Sequence, residues 1–392
     1  MFRESIYIKS VGPIREIKIE DLKPLTLFVG DTASGKSTIL KVVIFMRYLY
    51  KMVNIRSYLK NAKIPKSPFR FRLEKMLHDG MEELVTKDSV IRYEATVDGS
   101  VYCIEIVKKK LFTNISIKNS DLLFFKEAFI AETRNIIPTW MSRVSANKGA
   151  KLGFYFHETF SSFDDATDFI DGLDIDFLGL TLRIYKTKYG KRFQISSAAA
   201  PNSFQLQLQH ASSGTQFVVP LLVILRYYAH EFSFKKAFQR SVLNYLFEQD
   251  QLSRFRPEIE QSALPKYVHI HLEEPELSLD PNAQRKLINT MVRQIFYDHA
   301  ADRKLHLMLA THSPYIVNQI NVLLGASYSK NSEPYLALNP EYIDIYAVQD
   351  GEISSLMAID NESEQVVVNT LRFAEPMEAI YKEYQEIQDK IE

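Results

Sequence analysis

The chain has a single cysteine, Cys103, in 392 residues, so no internal disulfide and no Cys-x-x-Cys zinc site forms within it. It lacks long hydrophobic runs: the longest, Phe217 to Leu225, is interrupted by Pro220 and falls far short of the ~20 residues that span a bilayer. Charge of one sign is missing too. The 48 basic and 48 acidic residues cancel, which removes any global electrostatic argument for a polyanionic partner. No internal repeat is visible, and no heptad pattern persists long enough for a coiled-coil arm. The opening Met1-Phe2-Arg3-Glu4-Ser5 has no apolar signal core. With 46% hydrophobic and 24% charged residues, these absences predict a folded cytoplasmic protein without membrane contact, in one large domain or two to three smaller ones.

What is present starts with Gly30-Asp31-Thr32-Ala33-Ser34-Gly35-Lys36-Ser37, a complete G-x-x-x-x-G-K-[ST] loop. It sits between a strand-like run, Leu25 to Val29, and a helix-like stretch opening at Thr38, the context that makes the motif credible. Small residues let successive N–H groups curl around a phosphate, and the helix N-terminus adds partial positive charge. Residues Gly30 to Thr38 are therefore the candidate ATP site. Lys36 is expected on the β- and γ-phosphates and the Ser37 hydroxyl on Mg²⁺.

A second apolar strand, Tyr267 to Leu272, ends in Glu273-Glu274-Pro275-Glu276. In a parallel sheet ligands bind at the carboxyl ends of strands, so these acids and the loop are expected in one crevice. Glu273 is the candidate metal ligand, directly or through water, and Glu274 the general base. His269 and His271 share one strand face by period two and read as core-layer histidines. A third strand, Leu305 to Ala310, ends in Thr311-His312-Ser313, and the helix-like Asn282 to His299 between the two makes a βαβ crossover. His312 is thereby expected one strand from the acids, facing the γ-phosphate or the attacking water. Ser212-Ser213-Gly214-Thr215-Gln216 reads as a serine cap opening a helix, a second phosphate-binding device.

Elsewhere, Ser5 to Ile8 and Ile14 to Ile19 read as an antiparallel pair, and Ile91–Val97, Val101–Val107 and Leu111–Ile117 as a meander. Hairpins are expected over 180–197 and 343–356, with a strand over 204–209. Met377, Ile380, Tyr381, Tyr384, Ile387 and Ile391 recur at helical spacing, and the expectation is a tail helix docked on the protein's own core.

In this order the loop, Ser-Ser-Gly-Thr-Gln, Glu-Glu-Pro-Glu, Ser278-Leu279-Asp280 and Thr-His-Ser resemble the Walker A, signature, Walker B, D-loop and switch-histidine motifs of ABC-type ATPases. Within that group the chain is similar to the ATPase half of the OLD family and its relatives in anti-phage systems, and the opening Ile8 to Ile14 resembles their first strand pair. Phe129 to Arg134 resembles a stretch there whose arginine has no role assigned.

The resemblance implies an α/β ABC-type head with a mixed sheet, an antiparallel β subdomain and a helical insertion. It divides the chain into an ATPase core (1–50 and 262–392), a basic helical insertion (51–89), a β-rich subdomain (90–210) and a signature lobe (211–261). It implies a shared site in which Ser212, Ser213 and Gly214 of one subunit cover the nucleotide of another, in a homodimer or larger homo-oligomer. Asp280 would then communicate across the seam, and His312 would sense the γ-phosphate. Glu273 replaces the commoner aspartate, and no glutamine is assigned to the Q-loop. OLD proteins carry a nuclease domain, whereas about eighty residues follow His312 here, too few for a nuclease core. A separate nuclease or toxin effector is expected instead, as in Septu-, retron- and PARIS-type ATPases.

One stretch is strongly basic. Residues 51–76 hold Lys51, Arg56, Lys60, Lys63, Lys66, Arg70, Arg72 and Lys75 against Glu74 alone, a local net charge of +7. Either a DNA-facing patch or a solvated face would account for it. The alternative to a defence ATPase is a DNA-repair ATPase of the RecF type.

Overall fold

A computed structural model describes residues 2–64, 71–142, 153–188, 190–197, 203–329 and 335–389. The chain opens with β1 (Phe2–Val11) and β2 (Ile14–Ile19), whose buried positions alternate with exposed ones. β3 (Leu25–Val29) is buried along its whole length and runs through the glycine loop into α1 (Lys36–Asn61). Gly35 caps that helix at φ +107°, and a Cβ there would stand 2.6 Å from Ile14 Cδ1, so only glycine fits the turn. β4 (Val85–Val97), β5 (Ser100–Val107) and β6 (Lys110–Phe112) follow, then β7 (Phe124–Ile130) and α2 (Phe154–Ala166). Next come β8 (Gly172–Ile175), β9 (Leu180–Thr187), β10 (Gly190–Ser197), β11 (Phe204–Gln207) and α3 (Ser213–Arg226). The last part holds β12 (Lys266–Glu273), α4 (Pro281–Phe296), β13 (Lys304–Thr311), α5 (Pro314–Tyr328), β14 (Ile343–Gln349), β15 (Glu352–Ser355) and α6 (Glu375–Gln388).

The central sheet has the order β15-β14-β3-β13-β12-β7. All neighbours are parallel except the antiparallel β14–β15 edge. Register sets the strand ends in a row: Val29 pairs with Thr311 and with Ala347, Glu273 with Ala310, and Leu272 with Ile130. The loops after β3, β7, β12 and β13 therefore open at one edge. A second, antiparallel sheet, β2-β1-β4-β5-β6, covers α1 from the other side, so that helix is buried nearly all round. Arg47 of α1 is locked there by Glu4 of β1, with bonds of 2.9 and 2.8 Å. The architecture is the expected α/β one, with a mixed sheet, an antiparallel β part and helices.

Several expectations change. The meander's third strand stops at Phe112, because the Arg56 guanidinium takes the carbonyls of Thr113 and Ile115 that a neighbouring strand would need. Residues 90–210 do not form one β unit. They are shared among three sheets, and position 90 falls inside β4, which pairs with β1. Residues 51–61 are the second half of α1, not an insertion. Nor is the basic stretch one solvated face. Lys51 is half-buried, and burial pushes its ammonium down to about 8, while Lys60, Lys63, Arg72 and Lys75 are exposed. Lys66 and Arg70 lie outside the described residues.

The tail helix α6 forms, but its apolar side is not docked: Met377, Tyr381 and Tyr384 are 69%, 64% and 57% exposed. Among the described residues no single helix is long and apolar enough to cross a membrane.

Candidate functional site

The loop after β3 turns over exposed Asp31, Thr32 and Ala33, the last at φ +63°, and returns to bury Lys36 and Thr38 in the first turn of α1. Lys36 folds back across the loop. Its Nζ donates to the carbonyls of Gly30 (2.9 Å) and Asp31 (2.7 Å), with Ser34 Oγ at 3.4 Å. Burial pulls its pKa down, while Glu274, Asp31 and Glu276 work against that fall.

At the end of the loop, Ser37 works to lower the pKa of the Glu273 carboxyl, which brings the two expected cation ligands together. The sequence reading missed a third member. Exposed Glu132, just beyond β7, stands beside Glu273, and each acid shifts the ionisation of the other. Burial first and Glu132 second push Glu273 up to about 8, whereas Glu273 holds Glu132 down. A buried carboxyl raised beside an acid held low is a pair whose second ionisation a divalent cation would favour. The only available signal was an acid two residues past an apolar strand.

Glu274 follows at φ +43°, a left-handed conformation uncommon for a side-chain-bearing residue. Its amide bonds Ala310 O at 2.9 Å, and its Oε1 lies 3.5 Å from His312 Nε2, with both side chains about one-third exposed. Glu276 accepts from the His312 amide at 2.6 Å, tying the ends of β12 and β13 together. Arg134, fully buried, donates to the carbonyls of Glu273 and Glu274 and to Phe217 O in α3.

Lys36, Ser37, Glu273, Glu274 and His312 thus meet at one sheet edge. The loop amides, the cationic Lys36 and the acid-rich group around Ser37 fit a nucleotide triphosphate with a hard cation.

The signature residues sit on α3. Ser212 caps it, accepting from the Thr215 amide at 3.4 Å, and Ser212 and Ser213 are exposed. A Cβ on Gly214 would stand 2.6 Å from Ser278 O, so the helix start packs on the turn before Asp280. Asp280 itself caps α4, accepting from the amides of Asn282 (2.9 Å) and Ala283 (3.2 Å).

A family model described as AAA domain, AAA_23, matches residues 5–289, most of the chain. The chain belongs to this AAA-domain family. A second AAA-domain model, described by reference to the AbiEii toxin of a type IV TA system, matches residues 262–318 of the AAA domain. No curated protein matches it. Among solved structures, the SMC head domain from Thermotoga maritima shares 12% identity over 91% of this chain and 98% of that one, with a TM-score of 0.39. The SMC head with an extended coiled coil from Pyrococcus furiosus shares 9% over 99% and 100%, at 0.42. The recombination mediator RecF with ATP shares 12% over 91% and 100%, at 0.37. At that level these likenesses carry no argument about what the AAA domain does.

Proposed function

We propose that this AAA domain binds and hydrolyses ATP at the carboxyl edge of its central sheet, in a site completed by a second copy of the chain. One observation carries the reading: Lys36, the Ser37–Glu273–Glu132 group and the Glu274–His312 pair stand together where β3, β7, β12 and β13 end. ATP with Mg²⁺ supplies the bond to be cleaved and the cation that offsets its charge.

The residues then divide the work. Amides of the loop wrap the phosphates at the start of α1, and Lys36 exchanges its carbonyl partners for phosphate oxygens. Ser37 and Glu273 hold the cation, with Glu132 behind them. Glu274 takes the proton of the attacking water, and His312 orients that water or senses the γ-phosphate. Exposed Ser212 and Ser213, with Gly214, present a helix N-terminus to a neighbouring subunit's phosphates, and Asp280 reports across the seam.

The wider role we infer is that of a cytoplasmic sensor or scaffold ATPase in a prokaryotic anti-phage module, restraining a separate nuclease or toxin effector. The OLD-like motif variants and the AbiEii-related match over 262–318 support it. A second reading, a RecF-like DNA-binding ATPase, is favoured by exposed Lys60, Lys63, Arg72 and Lys75. Glu274→Gln is the test of the chemistry: nucleotide still binds, turnover falls ~10²–10⁴-fold, and the ATP-bound assembly persists on a sizing column. Normal turnover removes Glu274 from the base role. DNA-stimulated turnover with no co-purifying protein decides for the second reading.

A further inference from the structure

His269 and His271 lie in the core, but only His271 has both ring nitrogens partnered. Its Nδ1 meets Ala128 O at 3.1 Å and its Nε2 meets Arg47 at 3.1 Å. His269 stands in one row of the sheet with Glu127 on β7 and His306 on β13. Its Nδ1 is 3.0 Å from Glu127 Oε1. With the Glu127 carboxylate as acceptor, Nδ1 carries the ring hydrogen and Nε2 is left as a bare lone pair. That Nε2 is sealed from solvent, has no hydrogen-bond partner, and faces Glu4 Oε2 of the covering sheet at 3.8 Å. His306 Nδ1 is likewise sealed and unpartnered. One carboxylate oxygen of Glu4 and one ring nitrogen each of His269 and His306 lie within 4.8 Å of one another.

Lone pair facing lone pair in a dry interior is unfavourable unless a positive centre stands among them. We propose that Glu4, His269 and His306 bind a zinc-class transition-metal ion that ties β1 of the antiparallel sheet to β12 and β13 of the central sheet. Two imidazole nitrogens and one carboxylate oxygen suit zinc, whereas Mg²⁺ and Ca²⁺ prefer oxygen alone. Glu127 behind His269 completes the carboxylate–histidine–metal arrangement that fixes ring orientation and raises ligand basicity.

Glu4 remains available although Arg47 binds it. Oε1 takes Arg47 Nε and the Tyr93 hydroxyl, but Oε2 takes only Arg47 Nη2, leaving a lone pair free. The Arg47 charge is offset by Glu4 and Glu127. Donor atoms around a tetrahedral zinc stand roughly 3.3 Å apart, so closure asks for side-chain shifts of about an ångström. His306 is only half-buried and lines a cavity of about 620 Å³ shared with Phe2, Tyr267 and His299, which gives an ion a way in. Glu4, His269 and His306 lie within β1, β12 and β13 and belong to none of the groups gathered at the strand ends around Lys36, Glu273 and His312, so the role of the ion is structural.

The test uses the full chain, without an oligohistidine tag, stripped by chelator and titrated with Zn²⁺ and Co²⁺ under excess Mg²⁺. Wild type is expected to take about one Zn²⁺ per chain, to show intense visible Co²⁺ bands of a nitrogen-containing tetrahedral site, and to melt higher with Zn²⁺. His306→Ala should bind at least tenfold more weakly and lose the Zn²⁺-dependent rise in melting, as first-sphere ligands matter at least as much as their supports. His299→Ala, on the same cavity but outside the ligand set, should bind as wild type. If circular dichroism shows His306→Ala misfolded, His306→Gln takes its place. Absence of stoichiometric Zn²⁺ binding, unchanged binding without His306, or equal loss in His299→Ala overturns the proposal.

Discussion

Arg134 donates to the main-chain carbonyl of Glu274 at 2.8 Å, and to that of Glu273 at the same distance, from a position with no solvent exposure. The same guanidinium bonds Ala131 O and Phe217 O at 3.1 Å, so one planar cation joins the acid-bearing strand end to the helix that carries Ser212 and Ser213. Burial pulls it down to about 10, which still leaves it charged at neutral pH. It also holds the left-handed turn at Glu274 in place, a conformation that persists only where its surroundings over-determine it.

Removing this group has a distinct signature. Arg134→Ala leaves four carbonyls without their donor and is expected to cost on the order of 3 kcal/mol, read as a lower midpoint in urea unfolding. Arg134→Lys keeps the charge but cannot span all four acceptors. It should remain folded and bind ATP, yet hydrolyse slowly. Wild-type turnover in Arg134→Lys removes the positioning role.

Cation binding at the proposed Glu273 site would depend on pH through the Glu132–Glu273 pair. Glu273 holds a proton up to about 8, so binding Mg²⁺ must expel it, and Mg²⁺ affinity is expected to rise between pH 6 and 8 and then level off. Stability of the cation-free protein runs the other way. A carboxyl raised above its unfolded value contributes stability that is complete below the unfolded pKa and is lost as pH climbs through the folded one. Without Mg²⁺, melting temperature should therefore fall from pH 6 to 9, and Glu132→Gln should flatten that fall. An unchanged slope in Glu132→Gln counts against the coupling of the two acids.

Lys36→Ala tests the loop. The ammonium is buried and bonded to its own loop, so its loss removes charge-assisted bonds worth on the order of 3 kcal/mol to bound phosphate, about a hundredfold in affinity. Equilibrium binding of a fluorescent ATP analogue measures this directly. Unchanged affinity refutes the assignment.

Motif-bearing strand ends were legible because each needs particular residue types at a fixed place. Gly35 must be left-handed, and Glu273-Glu274 must follow an apolar run. What escaped was non-local. The Asp350-Gly351 turn specifies β14 with β15, but not that β14 lies parallel to β3. Glu132 reaches Glu273 only because β7 takes the edge beside β12, which no periodicity in either strand encodes. Charge counting was blind to burial at Lys51 and to the carbonyls that occupy Arg56. The spacing of Tyr381, Tyr384 and Ile387 fixed an apolar side on α6 without fixing anything to cover it.

The proposed sharing of the site between two copies makes a prediction that no single-chain site makes. Ser213 is exposed at the start of α3, and the helix there is pinned by Gly214 against Ser278 and by Arg134 through Phe217. Ser213→Arg adds a bulky side chain at a surface position and leaves the Lys36 loop of the same chain intact. It should still bind ATP but not hydrolyse it, because the cover it offers its neighbour is blocked. Lys36→Ala fails for the complementary reason, with a broken loop and an intact cover. Mixing the two inactive variants pairs an intact loop with an intact cover in about half of the possible composite sites of mixed dimers, so a substantial fraction of turnover should return. Steady-state phosphate release across mixing ratios, peaking near equal amounts, is the measurement. Flat zero activity at every ratio, with mixed dimers demonstrated by sizing of differently tagged chains, means that each chain works alone.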